Sequence, residues 1–364
     1  MTEPEAAPPA EQQPYSRSPT GSPPAAEGTT FQQTQADIVA HQAETTIEAG
    51  SDSDDPGYET DAESRASTSI SSSVRDYAFE HGRRYHKFRE GTYQFPNDES
   101  EQEREDMKHA MVVNLCGGKL HYAPLDNPQK IIDVGTGTGI WAIDVGDEYP
   151  SAEVLGIDLS PIQPVWVPPN VKFMVDDAES PWLHPADTFD FVHIRHMNSS
   201  VKNWPKLLTE AYNHTKPGGW IEMQELLFTL NCDDGTMKED YPTARFLQLI
   251  KEGLAVFGVD LLGVTRNAQL LHDAGFVNVE TKVFKIPLGV WPKNRTMKLI
   301  GLYLRSVIYD GLQGIALGPL TRGLKWTPED VELFLVDVRK SLMDASTHSY
   351  LPFHVVYGQK PLNT

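Results

Sequence analysis

The chain has 364 residues, 39% of them hydrophobic, with 51 acidic side chains against 31 basic ones and a formal net charge of −20. That balance repels phosphates and argues against direct nucleic-acid binding. No apolar run approaches spanning length and acids follow Met1, so neither a membrane segment nor a signal peptide is expected, and Cys116 and Cys232 make neither a disulfide framework nor a metal pair.

The charge is uneven. Residues 1–73 hold thirteen acids and two bases among Pro, Ser, Thr, Gln and Ala, with few large apolar side chains. Such a segment buries too little to offset its ordering entropy and is expected to be a disordered acidic tail. Ordered structure is expected from Val74, over a domain spanning 74–364. Its cap helices over 74–128 begin with one from Asp76 to Arg89. A second is capped by Asp98 or Ser100, carries Met107, Met111 and Leu115 on one side, and ends at Gly117-Gly118.

Next comes Ile131-Ile132-Asp133-Val134-Gly135-Thr136-Gly137-Thr138-Gly139-Ile140-Trp141. It reads as a buried strand, a glycine turn and the start of a helix, which places free helix N–H groups at the carboxyl edge of a sheet. The spacing is not that of a P-loop, and no lysine follows. Asp133 would repel a pyrophosphate but suits a ligand carrying an amine and a sulfonium. The next strand, Val154 to Asp158, also ends in an acid, as a carboxylate gripping ribose hydroxyls would. Together these residues fit S-adenosylmethionine (SAM) better than NAD.

Strands follow at Val171–Ala178, ending in the acid pair Asp176-Asp177, and at Phe189–His196, then a helix from Trp204 to His214 and a strand from Ile221 to Leu227. This alternation predicts a doubly wound, mostly parallel α/β sheet. Helices are expected at Tyr241–Phe257 and at Thr265–Ala274, the latter capped by Thr265. A strand should follow at Val277–Ile286. Long helices come at Arg295–Gln313 and Pro328–Met343, with Thr327 as N-cap. A last strand, Phe353–Gly358, would insert beside the sixth.

These pieces resemble the class I SAM-dependent methyltransferases, and more narrowly the fungal LaeA-like group related to a regulator of secondary metabolism. The resemblance runs from about Val74 to Pro361. It is carried by Tyr93 to Asp98 with Glu101, Asp133 to Trp141, Gly156 to Ser160, Asp177-Ala178-Glu179, His193-Ile194-Arg195, Lys216 to Glu225 and His354 to Pro361; Gln359 stands where an arginine is commoner. It implies a seven-stranded Rossmann-like sheet with helices over 295–345 as a lid, and SAM as cofactor. Asp133, Gly135, Gly137 and Gly139 would line the methionine and ribose side, Asp158 would take the ribose hydroxyls, and Asp177 with Ala178 would read the adenine edge. Arg195 and His196 would stand near the sulfonium, although a salt bridge from Arg195 to Asp133 or Glu225 is an equal reading. From the residues themselves, Tyr85, Tyr93 and Trp141 are candidates to cover the donor with a ring face, with a plain core role as the alternative for each.

A proton acceptor is needed only where the methyl acceptor must lose a proton. His193, His196, Glu222 and Glu225 are the candidates, each with a structural alternative. Three functions fit: a methyltransferase acting on a small molecule in secondary metabolism, a regulator working through velvet-type protein partners in cytoplasm or nucleus, and a scaffold with a degenerate site. The intact acids and glycines argue against the third.

Overall fold

The computed structural model describes residues 37–50, 77–80, 83–86 and 95–362. The first of these segments corrects the expected disorder of residues 1–73, of which the remainder lies outside the described residues. Residues 37–44 form a helix, α1, and Val39, Ala43 and Ile47 are buried in the largest apolar cluster. Val39 and Ala43, four apart, share one face of the helix, and Ile47 follows in the extended segment after it. Ala49 then bridges to Pro292, Gly50 N–H donates to the Trp291 carbonyl, and Lys293 N–H donates to that of Glu48.

A second correction follows. Where one helix was expected from Asp76 to Arg89, β1 (Tyr77–Glu80) and β2 (Arg83–His86) pair antiparallel. Arg83 donates to both carboxylate oxygens of Asp98, and Arg84 to the side chain and carbonyl of Asn97. Asp98 caps α2 (Glu99–Leu115) by accepting from Glu101 N–H.

The main sheet is built from β3 (Lys130–Val134), β4 (Glu153–Asp158), β5 (Val171–Val175), β6 (Phe189–Arg195), β7 (Thr215–Leu226), β8 (Asn231–Cys232), β9 (Val277–Pro287) and β10 (Ser349–Gln359). Its order is β5-β4-β3-β6-β7-β10, with β9 against β10 as well. The first five are mutually parallel; β10 runs antiparallel between β7 and β9, the expected insertion of the last strand. The sheet has eight strands rather than seven because the two residues of β8 pair with the start of β10.

Helices cover both faces. On one, α4 (Trp204–His214) and α6 (Asn267–Asp273) bury Leu207, Leu208 and Leu271 against Ile132, Ile194 and Val356. A 3₁₀ turn, Gly263–Arg266, precedes α6, so Thr265 is not its cap. On the other face, α3 (Ile140–Glu148) packs Trp141 and Val145 on Ile131 and Phe191. Beside it α5 (Pro242–Ala255), α7 (Arg295–Leu317) and α8 (Pro328–Leu342) share a cluster with Phe284, Leu351 and Phe353. Thr327 caps α8 as expected. No described helix is long and apolar enough to cross a membrane.

Candidate active site

The glycine turn leaves β3 at the carboxyl edge of the parallel strands. Gly135, Gly137 and Gly139 all hold positive φ, at 73°, 57° and 85°. Gly135 and Thr136 N–H groups donate to the Ile157 carbonyl, which ties the turn to β4. The three glycines have different tasks. A Cβ on Gly135 would stand 2.1 Å from Met197 Sδ and one on Gly139 would stand 2.4 Å from the Phe173 ring, whereas one on Gly137 would meet nothing within 4 Å. Gly135 and Gly139 permit packing; Gly137 faces open space.

A row of polar residues supports the turn from inside the sheet. Asp133, His193 and Glu222 are register neighbours on β3, β6 and β7. Asp133 accepts from Thr136 Oγ1 at 2.6 Å and from His193 Nδ1 at 2.8 Å. The His193 ring stacks on Trp141 with centroids 3.5 Å apart, and burial lowers its pKa, so it is a neutral prop. Glu222 accepts from Tyr122 N–H, Ala123 N–H and the Gln224 side chain, and burial pushes its pKa up to about 7. Neither His193 nor Glu222 lines the cavity above the turn. Their hydrogen-bonding atoms are spent inside the sheet, His193 Nδ1 on Asp133 and the Glu222 carboxylate on Tyr122, Ala123 and Gln224, so the structure gives both a supporting place rather than that of the expected proton acceptors. Trp141 is buried, with its indole N–H on the Leu120 carbonyl, and reaches the wall of the lobe over the turn.

The cavity has two lobes. One lies over the turn, between Asp133, Thr136, Gly137, Thr138, Arg195 and His196. The larger continues past Asp158, Asp177, Ala178 and Glu225 into a chamber lined by Phe95, Phe246, Leu304, Val307, Ile308 and Leu351. Asp158 accepts from Gly137 N–H and Ser160 N–H, both at 2.9 Å, and burial pushes its pKa up to about 6. Asp177 accepts from Glu179 N–H and lies with Ala178 just beyond β5.

Arg195 closes β6. Its guanidinium donates to His109 on α2, and no ion pair joins it to Asp133 or Glu225, which corrects the salt-bridge reading. His196 follows in the left-handed region, φ 56°, unusual for a side chain of its size. It lines both lobes and its buried Nε2 has no partner. Burial, then the charges of Lys108, Arg195 and Arg104, hold its pKa well below the usual range. Glu225 accepts from Met197 and Asn198 N–H groups, and burial pushes it up to about 8. Tyr93 lies outside the described residues.

Sequence reasoning missed the charged wall supplied by α2. Glu101, Arg104, Glu105 and Lys108 line the chamber, with Arg104 paired to both glutamates and Lys108 to Glu105 at 2.6 Å. Their spacing of three and four is one helix face, a signal present in the sequence. Asn97 links this wall to β4 through Ser160. No cluster of metal ligands occurs among the described residues.

Residues 104–281 match the family model of a methyltransferase domain. Over 314 residues the chain is 40% identical to the methyltransferase pytC of Aspergillus terreus, covering 85% of this chain and 95% of that protein. The chain is a SAM-dependent methyltransferase of the LaeA-like group. It is also 37% identical to the secondary metabolism regulator LAE1 of Cochliobolus heterostrophus, covering 78% and 94% of the two chains. With the protein-methionine methyltransferase laeA of Emericella nidulans it shares 32% identity over 78% and 76%. Among solved structures it is similar to phosphoethanolamine N-methyltransferase 2 of Haemonchus contortus, at 18% identity and a TM-score of 0.41 over 70% and 52% of the chains. The site of this methyltransferase fits its donor chemically. Asp158 ends β4 and Asp133 stands one residue before the end of β3, Gly137 leaves room beside Asp158, and His196 lines the same space.

Proposed function

We propose that this methyltransferase moves the SAM methyl group to a small, largely apolar acceptor, in a secondary-metabolite pathway. The observation that carries the proposal is the chamber: beyond the acids and glycines the cavity runs on between apolar side chains of α5, α7 and β10. A buried apolar chamber suits a compact molecule better than an exposed protein chain.

On this reading Asp133 and the turn over Gly135, Gly137 and Gly139 hold the methionine and ribose side, Gly139 by setting the backbone. Asp158 takes the ribose hydroxyls, Asp177 and Ala178 the adenine edge. Bound SAM supplies an activated methyl on sulfur, so alignment of the acceptor does most of the work. Residues 295–345 act as wall and lid, with Leu304, Val307 and Ile308 excluding water. Where the acceptor carries a hydroxyl, His196, which lines both lobes, or Glu225, which lines the larger one, takes its proton.

The second reading, a regulator working through velvet-type partners in cytoplasm or nucleus, draws on a surface feature. Val165 and Trp166, 60% and 89% exposed, stand out from the loop after β4, and Leu183 is 90% exposed. Gene deletion with metabolite profiling separates the two. Loss of one compound family with accumulation of its unmethylated precursor supports the pathway enzyme; loss of many unrelated families refutes it.

A further inference from the structure

Among the described residues no carboxylate comes within ion-pair distance of Arg195; Asp133, Glu105 and Asp144 act on its charge only from farther off. Arg195 Nη2 donates to Nδ1 of His109 at 2.9 Å, and Nε2 of His109 lies 2.8 Å from an Asp144 oxygen. Because Nδ1 accepts, the ring proton sits on Nε2 and is donated to Asp144. The imidazole is neutral, its pKa lowered to about 4 by burial and then by the guanidinium itself. This relay fixes where the guanidinium points without neutralising it. The nearby carboxylates are engaged elsewhere, Asp133 with Thr136 and His193, Glu105 with Arg104 and Lys108.

Withdrawing a guanidinium from water is costly unless an anion meets it, and this group does not escape by losing its proton. A fold that holds one rigidly at a cavity wall is set for an anionic ligand. Arg195 lines both lobes, which places it beside the space over the glycine turn. The methionine end of SAM bears an ammonium, a sulfonium and a carboxylate, and only the last is an anion.

We propose that Arg195, oriented by His109 and Asp144, anchors the α-carboxylate of SAM. The inference rests on the reading of this cavity as the SAM site. It accounts for a cation close to a sulfonium: the guanidinium is turned to the opposite end of the amino-acid moiety. His109 is a positioning residue, acting through Arg195. A carboxylate on the acceptor would offer the same chemistry from the chamber side, and the experiment separates the two sources.

The test is calorimetry on the full chain with S-adenosylhomocysteine, its decarboxylated analogue, and methylthioadenosine, which lacks the amino-acid moiety. The unmodified protein should prefer S-adenosylhomocysteine over the decarboxylated analogue by roughly 30- to 100-fold, the range for a charge-assisted pair in a buried site. Arg195→Gln should bind both about equally and methylthioadenosine as the unmodified protein does. His109→Ala should shrink the preference while leaving methylthioadenosine affinity unchanged; a merely structural role would move all affinities together. Equal affinity of the unmodified protein for the two homocysteine ligands overturns the anchor and leaves Arg195 to an acceptor carboxylate. So does a preference retained in Arg195→Gln. The comparison in the unmodified protein decides even where that variant fails to fold. Failure of all three adenosine ligands to bind refutes the SAM site itself, a different result.

Discussion

Alanine at Gly137 and alanine at Gly139 separate a turn that holds a ligand from one that only folds. Both glycines lie in the left-handed region, φ 57° and 85°, where a Cβ costs about 1–2 kcal/mol. At Gly137 that is the whole cost, since the new methyl meets no atom within 4 Å. At Gly139 the methyl would stand 2.4 Å from the Phe173 ring, adding about 1–3 kcal/mol for overpacking. Urea denaturation should therefore show a loss of about 1–2 kcal/mol for Gly137→Ala and about 2–5 kcal/mol for Gly139→Ala. Binding should order them the other way. The Gly137 methyl enters the space beside Asp158 that the donor needs, so S-adenosylhomocysteine affinity should fall at least about tenfold, or 1.4 kcal/mol. Folded Gly139→Ala should stay within about threefold of the unmodified protein. Unchanged affinity in Gly137→Ala would refute the cradle.

Asp158, pushed up to about 6, should make donor binding pH-dependent. Its ionised form accepts hydroxyl hydrogen bonds more strongly, so S-adenosylhomocysteine affinity measured by calorimetry should rise as pH increases through about 6, and Asp158→Asn should abolish the rise. Stability of the ligand-free protein should move in the opposite sense. Glu222 and Glu225 are raised to about 7 and about 8 from an ordinary 4.5, so between those values the folded state holds protons that the unfolded state has released. Stability is greatest near pH 4.5 for these groups and falls towards pH 8; a denaturation series that is flat or rising there contradicts their burial. Removal of residues 1–50 should cost about 2–4 kcal/mol more than removal of 1–36, from the buried Val39 and Ile47 side chains; equal stabilities would show that α1 adds nothing.

What the sequence discloses and what it hides follow from the range of the interactions. The parallel strands were legible because each is a short β-branched run, and Asp133 and Asp158 because an acid that follows such a run marks the strand's carboxyl end. The hairpin at 77–86 was not. Its aromatics fit either period over so short a stretch, and the contacts that favour strands, Arg83 and Arg84 on Asn97 and Asp98, come from 13 to 15 residues away. Helix α1 was hidden by acidic neighbours, though the four-residue spacing of Val39 and Ala43 was there to read. Tail composition averaged over 73 residues cannot reveal so short an apolar face.

Sheet register decides which of the candidate proton acceptors reach the cavity, and it is a long-range property. Glu222 and Glu225 are three residues apart on β7, about 10 Å along the strand. Glu222 pairs across to His193, inside the sheet, while Glu225 lies beyond the last register pair of β6 and β7, Arg195 with Gln224. Those three residues place one carboxyl under the turn and the other in the chamber. The buried row of Asp133, His193 and Glu222 then has a purpose that the cavity residues alone do not explain. His193 fixes Asp133 from one side and stacks on the first turn of α3 from the other, and Glu222 holds the chain at Tyr122 and Ala123. The turn is thus held from below by protein contacts alone, with Gly137 free above. For a reaction whose donor arrives already activated, that prior alignment is the contribution a protein can make.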